Sequence, residues 1–350
     1  MITPISAPSG PGNDTLEITG PWFEDFHHGL EFDAPAVTLT AGHAALHQAL
    51  FADRLRLPLD HAAAARVTGR SAPLCHPLLA VNIAIGQSTW ASQRVKANLF
   101  YRGLVLRRPV FLGDTLHTRT RVVGLRQNRP QAGRAATGIV ALEMTTTNQH
   151  GEVVLHFWRC PMIPCRDPAA NTGHADELDS IGTATTAAAV RGAVPQGWSL
   201  AAADGWRGRR AADVPAGQRF MIEARDTITC APELVRVSLN MAMAHTDSRL
   251  SYLGERLVFG GHTIFMCFAQ LTRGLPNLLG LLAWDSCDHV APVVEGDRLR
   301  TTFVVTNVVP LAADEGGGSL LRIAAECYAA RGEPETETRV LDWQFWAWSL

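Results

Sequence analysis

Asn240 and His245 lie five residues apart in the stretch VSLNMAMAHTD, and their types fit proton-transfer chemistry. A histidine titrates near neutral pH, so it can accept and donate protons under physiological conditions. A side-chain amide beside it can hold a water or a carbonyl group. Further along, the stretch RLVFGGHTIF places Gly260 and Gly261 directly before an apolar helical stripe. Free N–H groups at a helix N-terminus carry partial positive charge, so the sequence predicts proton transfer beside an oxyanion site.

That combination suits the addition of water to an α,β-unsaturated thioester. The thioester oxygen gains negative charge as an enolate forms, and a backbone N–H can stabilise it. We therefore predict that His245 moves the proton, Asn240 positions water and Gly261 stabilises the oxygen. Neighbouring residues are predicted to bind substrate: Gly260, His262, Asp247. The alternatives are a core histidine at 245, a simple glycine turn at 260–261, and a helix-capping or packing role for His262.

The chain repeats itself. LGDTLHTRTRVVG, from Leu112, corresponds to EGDRLRTTFVVTN, from Glu295, and VLHFWR corresponds to VLDWQF. His76 and His262 are 186 residues apart, close to the offset of the other blocks. Several blocks in the same order at a nearly constant offset indicate a tandem duplication. The repeated unit is about 150 residues long, an ordinary domain size.

Each unit has the same pattern of predicted elements. A short strand and a helix precede a long apolar helix, and several strands rich in Val, Thr and aromatic residues follow. This order predicts an α+β fold in which an antiparallel sheet wraps around a buried central helix. The predicted domains are 1–166 and 214–350. Residues 167–213, rich in Ala, Gly, Thr and Pro, are expected to form a linker.

The motif around His245 resembles that of the MaoC-like hydratases and dehydratases, which have a hotdog fold. Their pattern is similar to N-x-x-P-L-H-x-D, and N-M-A-M-A-H-T-D matches it without the proline. The stretches GDTLHTRTRVVGLRQNR, QRVKANLFYRGL, GGHTI and SCDH resemble the tandem-hotdog mesaconyl-CoA hydratases, also called β-methylmalyl-CoA dehydratases. The resemblance implies two tandem hotdog domains and reversible hydration of mesaconyl-CoA, a branched dicarboxylic acyl-CoA, without a cofactor.

The first unit departs from this pattern. Asp53 falls where an acidic partner would lie, but Pro58 stands about where the histidine belongs. Its helix begins at CHP rather than at GG, and Pro77 has no N–H to donate. We expect a degenerate site in the first unit, which would complete the acyl-CoA groove, and one working site in the second.

Coenzyme A phosphates need cationic partners, and we assign Arg94, Lys96 and Arg102 to substrate binding. His43 and His47 have a spacing that can bind metal on a helix, but no third ligand is evident, so no metal is expected. SCDH, residues 286–289, is not expected to form a Cys–His nucleophile pair.

Composition limits the remaining classes of function. The net charge is −2, and no basic stripe indicates nucleic acid. No apolar run approaches the roughly 20 residues that cross a bilayer, and MITPISAPSGPGND lacks signal-peptide features, so we expect a cytoplasmic enzyme and no membrane contact. A homodimer is possible. The alternative functions are a hotdog acyl-CoA thioesterase and a non-catalytic acyl-CoA-binding protein.

Overall fold

The computed structural model describes residues 18–131, 133–182 and 185–350. The expectation about the N-terminal stretch MITPISAPSGPGND, and the first part of the predicted domain 1–166, fall outside these residues. The described first half contains these elements: β1 (Glu31–Asp33), β2 (Val37–Thr38), α1 (Ala41–Phe51), α2 (Arg56–Leu59), α3 (His61–Thr68), α4 (Pro77–Ser88), β3 (Ala97–Leu106), β4 (Thr115–Gln127), β5 (Thr137–Thr147), β6 (Val153–Pro164).

The later elements begin inside the stretch that joins the two halves, residues 167–182 and 185–213, which we call the joining stretch. They are α5 (Ala187–Gly192), β7 (Arg219–Met221), β8 (Asp226–Thr227), α6 (Ala231–Val237), α7 (Gly260–Gly274), β9 (Leu278–His289), β10 (Arg298–Pro310), β11 (Ser319–Arg331), β12 (Thr336–Ser349). Short 3₁₀ turns include Thr89–Ser92, Leu200–Ala203 and Met243–His245.

One antiparallel sheet runs through the whole molecule. Its order is β1-β4-β5-β6-β3-β9-β12-β11-β10-β7, with β2 beside β4 and β8 beside β10. The second half of this order repeats the first half in reverse, so the halves are related by a pseudo-twofold axis. At the centre, β3 pairs with β9, and Tyr101 lies opposite Cys287. These two residues are 186 apart, the offset found in the sequence.

Each half of the sheet encloses one buried helix. Helix α4 is buried from Leu78 to Ser88, and α7 is buried from Gly261 to Thr272. Phe268 of α7 packs against Trp343 and Phe345 of β12, with ring centroids 6.2 and 6.3 Å away. Burial of these large side chains favours the wrapped arrangement. The predicted α+β fold, with an antiparallel sheet around a central helix in each half, is confirmed.

The duplication extends to individual turns. Gly113 and Gly296 both have positive φ, 102° and 89°. The aspartates that follow them accept backbone hydrogen bonds in the same way: Asp114 from the Phe111 N–H at 2.8 Å, and Asp297 from the Val294 N–H at 3.0 Å. These aspartates shape turns that lead into β4 and β10.

The joining stretch contacts both halves of the molecule. It contains α5 and the turn Leu200–Ala203, and its Trp198 packs against Trp348 of β12 with ring centroids 5.4 Å apart. None of the helices in the described part of the chain is long and apolar enough to cross a membrane.

Candidate active site

A cavity of about 240 Å³ lies between the two halves. We call it the active cavity. The first half contributes side chains from β3, β6 and the segment before β3, and the second half contributes the loop after α6, the start of α7 and the end of β9. Its lining includes one glycine, Gly260, and these polar residues: Thr89, Ser92, Lys96, Asn98, Tyr101, Arg159, Asn240, His245, Tyr252, Thr263, His289.

A strained turn positions Asn240. The preceding residue, Leu239, has φ of 56°, in the left-handed region that costs a non-glycine residue roughly 1 kcal/mol or more. Asn240 Oδ1 accepts a hydrogen bond from the Ala242 N–H at 2.9 Å. The Asn240 Nδ2 group makes no hydrogen bond within the described residues, and Asn240 lines the active cavity. The side-chain amide therefore keeps a donor for a ligand.

Helix α4 of the first half and the residue after it pack directly against this turn. A Cβ at Gly86 would lie 1.6 Å from the Ser238 carbonyl oxygen, so no side chain fits there. The Thr89 hydroxyl oxygen accepts a hydrogen bond from the Met241 N–H at 2.9 Å. The position of Asn240 thus depends on the first half of the molecule.

His245 is buried and has one defined hydrogen bond. Its Nδ1 lies 2.7 Å from the Leu257 carbonyl oxygen, which can only accept, so Nδ1 carries the proton. Nε2 then has a free lone pair, and it has no partner within the described residues. Burial lowers the pKa of His245 to about 4, although the bond to Leu257 opposes this shift. The imidazole is therefore neutral at physiological pH and can accept a proton at Nε2.

The N-terminus of α7 lies beside His245. Neither the Gly260 N–H nor the Gly261 N–H donates a hydrogen bond to another described residue, whereas the His262 N–H donates to the Phe259 carbonyl at 2.8 Å. Gly260 lines the active cavity. Gly261 packs away from it, since a Cβ there would lie 2.4 Å from Asn82 Oδ1. The structure thus places Gly260 at the cavity wall, whereas Gly261, which the sequence predicts as the oxyanion donor, is the next residue along α7 and does not line the cavity.

His289 also lines the cavity, although its sequence context did not predict this. A Cβ at Gly260 would lie 2.3 Å from His289 Nε2, so the glycine makes room for this imidazole. Nε2 is buried and has no partner within the described residues. Burial and, to a smaller extent, the nearby His245 lower the pKa of His289 to about 4. The duplication places Gly103 at the equivalent position, so a histidine present only in the second half was the available signal.

Cys287, two residues before His289, is fully buried in β9, and burial raises the pKa of its thiol well above the ordinary value. A thiol in this state is not a nucleophile. SCDH therefore contributes a histidine to the cavity and no Cys–His pair.

Two residues that the sequence analysis grouped with His245 lie elsewhere. The His262 ring packs against Phe51 of the first half, with centroids 5.0 Å apart, and burial lowers its pKa to about 4. Asp247 forms an ion pair with Arg249 at 2.7 Å and accepts a hydrogen bond from the Arg249 N–H. Neither side chain lines the active cavity.

The three predicted cationic residues also separate. Lys96 lines the active cavity and an adjoining groove of about 850 Å³. Arg94 stacks on Trp22 at 3.8 Å and donates to the Gly20 carbonyl, and Arg102 stacks on Phe100 at 3.8 Å. Neither arginine lines the cavity. Arg159, which the sequence analysis did not select, does line it; the signal was a charged residue inside the apolar strand VVLHFWRCPMIP.

No cluster of three or more metal-ligating side chains occurs in the described ranges. His43 lies at the start of α1, where its Nδ1 is 2.9 Å from the Thr40 hydroxyl oxygen. His47 is buried against His76, with ring centroids 4.6 Å apart. Their i, i+4 spacing therefore serves capping and packing.

Comparison with known proteins gives a consistent result. No family model matches the chain. The mesaconyl-CoA hydratase of Cereibacter sphaeroides is 30% identical over 346 residues, which cover 94% of this chain and 97% of the relative. A conserved hypothetical protein of Mycobacterium tuberculosis with a double hotdog fold has a TM-score of 0.85 at 43% identity, covering 95% of this chain and 99% of the other.

A putative MaoC domain dehydratase of Chloroflexus aurantiacus has a TM-score of 0.79 at 26% identity, covering 97% of this chain and 99% of the other. The agreement extends over both halves, and it includes the tandem arrangement that the sheet order shows. The chain therefore belongs to the double-hotdog family of MaoC-like hydratases and dehydratases, which are hydro-lyases.

Proposed function

We propose that the protein reversibly adds water to the carbon–carbon double bond of mesaconyl-CoA to give β-methylmalyl-CoA. The observation that carries the proposal is the pairing in one cavity of a neutral histidine, His245, with the free N-terminus of α7. A base and an oxyanion site are what the reaction needs at its two ends. The named substrate of the Cereibacter sphaeroides relative supports the choice of acyl group.

The proposed hydration step uses the groups described at the cavity. Asn240 Nδ2 holds a water, and His245 Nε2 takes a proton from it as the oxygen bonds to the β carbon of the substrate. The π electrons move toward the thioester, and the N–H groups of Gly260 and Gly261 stabilise the charge that develops on its oxygen. The imidazolium then gives the proton to the α carbon, which completes the addition of one H and one OH.

The depressed pKa of His245 suits the second half of this step. An imidazolium in this buried site is unstable relative to the neutral ring, so it returns its proton readily. The enolate oxygen at α7 offsets part of the cost while both charges exist. Dehydration is the same path in reverse.

The coenzyme A moiety has a groove outside the cavity. The groove that adjoins Lys96 is also lined by Arg129 and Arg134, two exposed side chains without an ion pair among the described residues. Cationic side chains suit the phosphates of coenzyme A. This arrangement supports an acyl-CoA substrate whose acyl group enters the cavity past Lys96.

We further propose that the reaction needs neither metal nor organic cofactor, because each step above uses a side chain or a backbone group of this chain. We also propose a cytoplasmic location. The seven cysteines are all free in the structure, six of them buried, which supports a reducing compartment.

Mass spectrometry of mesaconyl-CoA incubated with the purified protein, without added metal or cofactor, tests the proposal. The expected product is heavier by one water, with the thioester intact. Release of free coenzyme A would indicate a thioesterase instead. An unchanged substrate would reject mesaconyl-CoA as the substrate, and a panel of other enoyl-CoAs would then show whether the protein turns over any acyl-CoA.

A further inference from the structure

Arg159 is a buried cation in the middle of the sheet. It lies on β6, opposite Tyr101 of β3 and Leu142 of β5, and its side chain is 3% exposed. It lines the active cavity together with His245 and His289. A guanidinium at this depth loses most of its hydration, so it needs compensation from the groups around it.

The protein supplies only neutral partners. Nε donates to the Ser88 hydroxyl at 3.0 Å, and Nη2 donates to the Ser88 carbonyl at 2.9 Å and to the Ser92 hydroxyl at 2.7 Å. Nη1 makes no hydrogen bond to the described residues, and no carboxylate of the described chain forms an ion pair with Arg159. The guanidinium group of Arg159 is therefore held in one orientation by α4 and the turn after it, while its charge has no counterion among the described residues.

The other cationic residue at the cavity has a different position. Lys96 is partly exposed and borders two surface grooves in addition to the cavity, so it stands at the mouth. Arg159 is buried and borders the cavity but neither of the two surface grooves. An anion that reaches Arg159 must belong to a group inside the cavity, where the acyl chain lies under the proposed function.

We infer that Arg159 binds a free carboxylate on the acyl group and thereby makes the enzyme selective for dicarboxylic enoyl-CoA substrates. The inference rests on the proposed function, since it assigns a substrate class to the same cavity. In mesaconyl-CoA the free carboxylate is bonded to the β carbon, the atom that receives the hydroxyl group. Binding at Arg159 therefore fixes this carbon relative to His245. The ring of Tyr101 also lines the cavity, with its centroid 6.2 Å from that of His289.

A pair of substrates separates this assignment from other uses of a cation. In 2-methylbut-2-enoyl-CoA a methyl group replaces the carboxylate of mesaconyl-CoA, and the coenzyme A phosphates remain. The wild-type enzyme should hydrate mesaconyl-CoA with a kcat/KM about 100-fold higher or more. Arg159→Met should lose about that factor on mesaconyl-CoA and change little on the methyl analogue. The ratio of the two kcat/KM values is the readout.

Arg159→Lys covers the case in which the methionine variant does not fold. It keeps the charge but loses the fork that Ser88 and Ser92 hold, and it should lose roughly tenfold in the same ratio. Lys96→Met, at the mouth, is the matched control and should affect both substrates alike. A folded Arg159 variant with the same ratio of kcat/KM values as the wild type, whether both substrates lose equally or neither loses, would overturn the inference. A wild-type enzyme that hydrates neither substrate would instead reject the proposed function.

Discussion

The same fold has an open cavity in the second half of the molecule and a nearly filled one at the equivalent place in the first half. The equivalent pocket, which we call the counterpart pocket, has a volume of about 50 Å³ against about 240 Å³ for the active cavity. Leu74 lines the counterpart pocket at the position that Gly260 occupies in the active cavity. The side chain fills space that the glycine leaves open, and Pro77 removes a helix N–H nearby.

The backbone that positions the site survives in both halves. Ala52 and Leu239 are the two non-glycine residues of the described chain with positive φ, 48° and 56°. Each precedes the polar residue of its turn. Asp53 Oδ1 accepts from the Leu55 N–H at 2.6 Å, as Asn240 Oδ1 accepts from Ala242. The strained turn is thus common to both halves, and the halves differ in the polar residue that follows it, Asp53 or Asn240.

The two equivalent polar side chains of the first half lie against each other. Asp53 Oδ1 lies 3.2 Å from His76 Nε2, and both side chains are buried. Pro195 and Trp198 of the joining stretch close the counterpart pocket. The comparison teaches that the duplication freed the first half to supply other groups to the working site, among them Lys96 and Arg159.

The largest expected effect comes from His245. His245→Ala should lower kcat by about 10³-fold, because general base catalysis typically contributes 10²–10⁴-fold. The matched variant is His76→Gln in the first half, which should leave kcat unchanged. Steady-state kinetics with mesaconyl-CoA and circular dichroism of both variants provide the test. Equal losses in the two variants would show that the halves do not differ in the way proposed.

Gly260→Ala should have the next largest effect. The added Cβ would lie 2.3 Å from His289 Nε2, so the imidazole or the start of α7 must move. Displacement of an oxyanion-site donor costs about 10²-fold or more in kcat. Gly280→Ala adds the same methyl group to the counterpart pocket, where a Cβ meets nothing within 4 Å, and should be neutral. Full activity in Gly260→Ala would contradict the role of the α7 N-terminus.

His289→Asn should have a smaller effect, about tenfold in kcat/KM, the size expected for one polar contact. The side chain borders the reacting groups, and its equivalent in the first half is a glycine. Asp288→Asn, the adjacent change on the strand, is the control. An unchanged kcat/KM in His289→Asn would make this histidine a packing residue.

The sequence predicted the fold well because the duplication is written in blocks that survive at one offset, and the two buried helices follow from apolar runs. His245, Asn240 and Gly260 were predicted because their spacing is local. His289 and Arg159 were missed because their place in the cavity depends on how β9 and β6 flank β3 at the centre of the sheet, which no local pattern reports. Similarly, the direction in which His262 points is set by packing on Phe51.

The smallest effect concerns stability rather than turnover, and it uses His262 against its equivalent in the first half. His262 Nδ1 is buried without a partner among the described residues, whereas His76 has a carboxylate 3.2 Å away. Burial lowers the pKa of folded His262 to about 4 from 6.5. Below pH 6.5 the unfolded chain binds a proton that the folded chain does not. The free energy of unfolding therefore decreases as the pH decreases, by about 2 kcal/mol from pH 7 to pH 5.

Denaturant unfolding should show that His262→Gln removes this share of the pH dependence, while Thr263→Ser, a buried neighbour that does not titrate, keeps it. The same slope in His262→Gln and in the wild type would mean that the interface between the halves stabilises a charged His262.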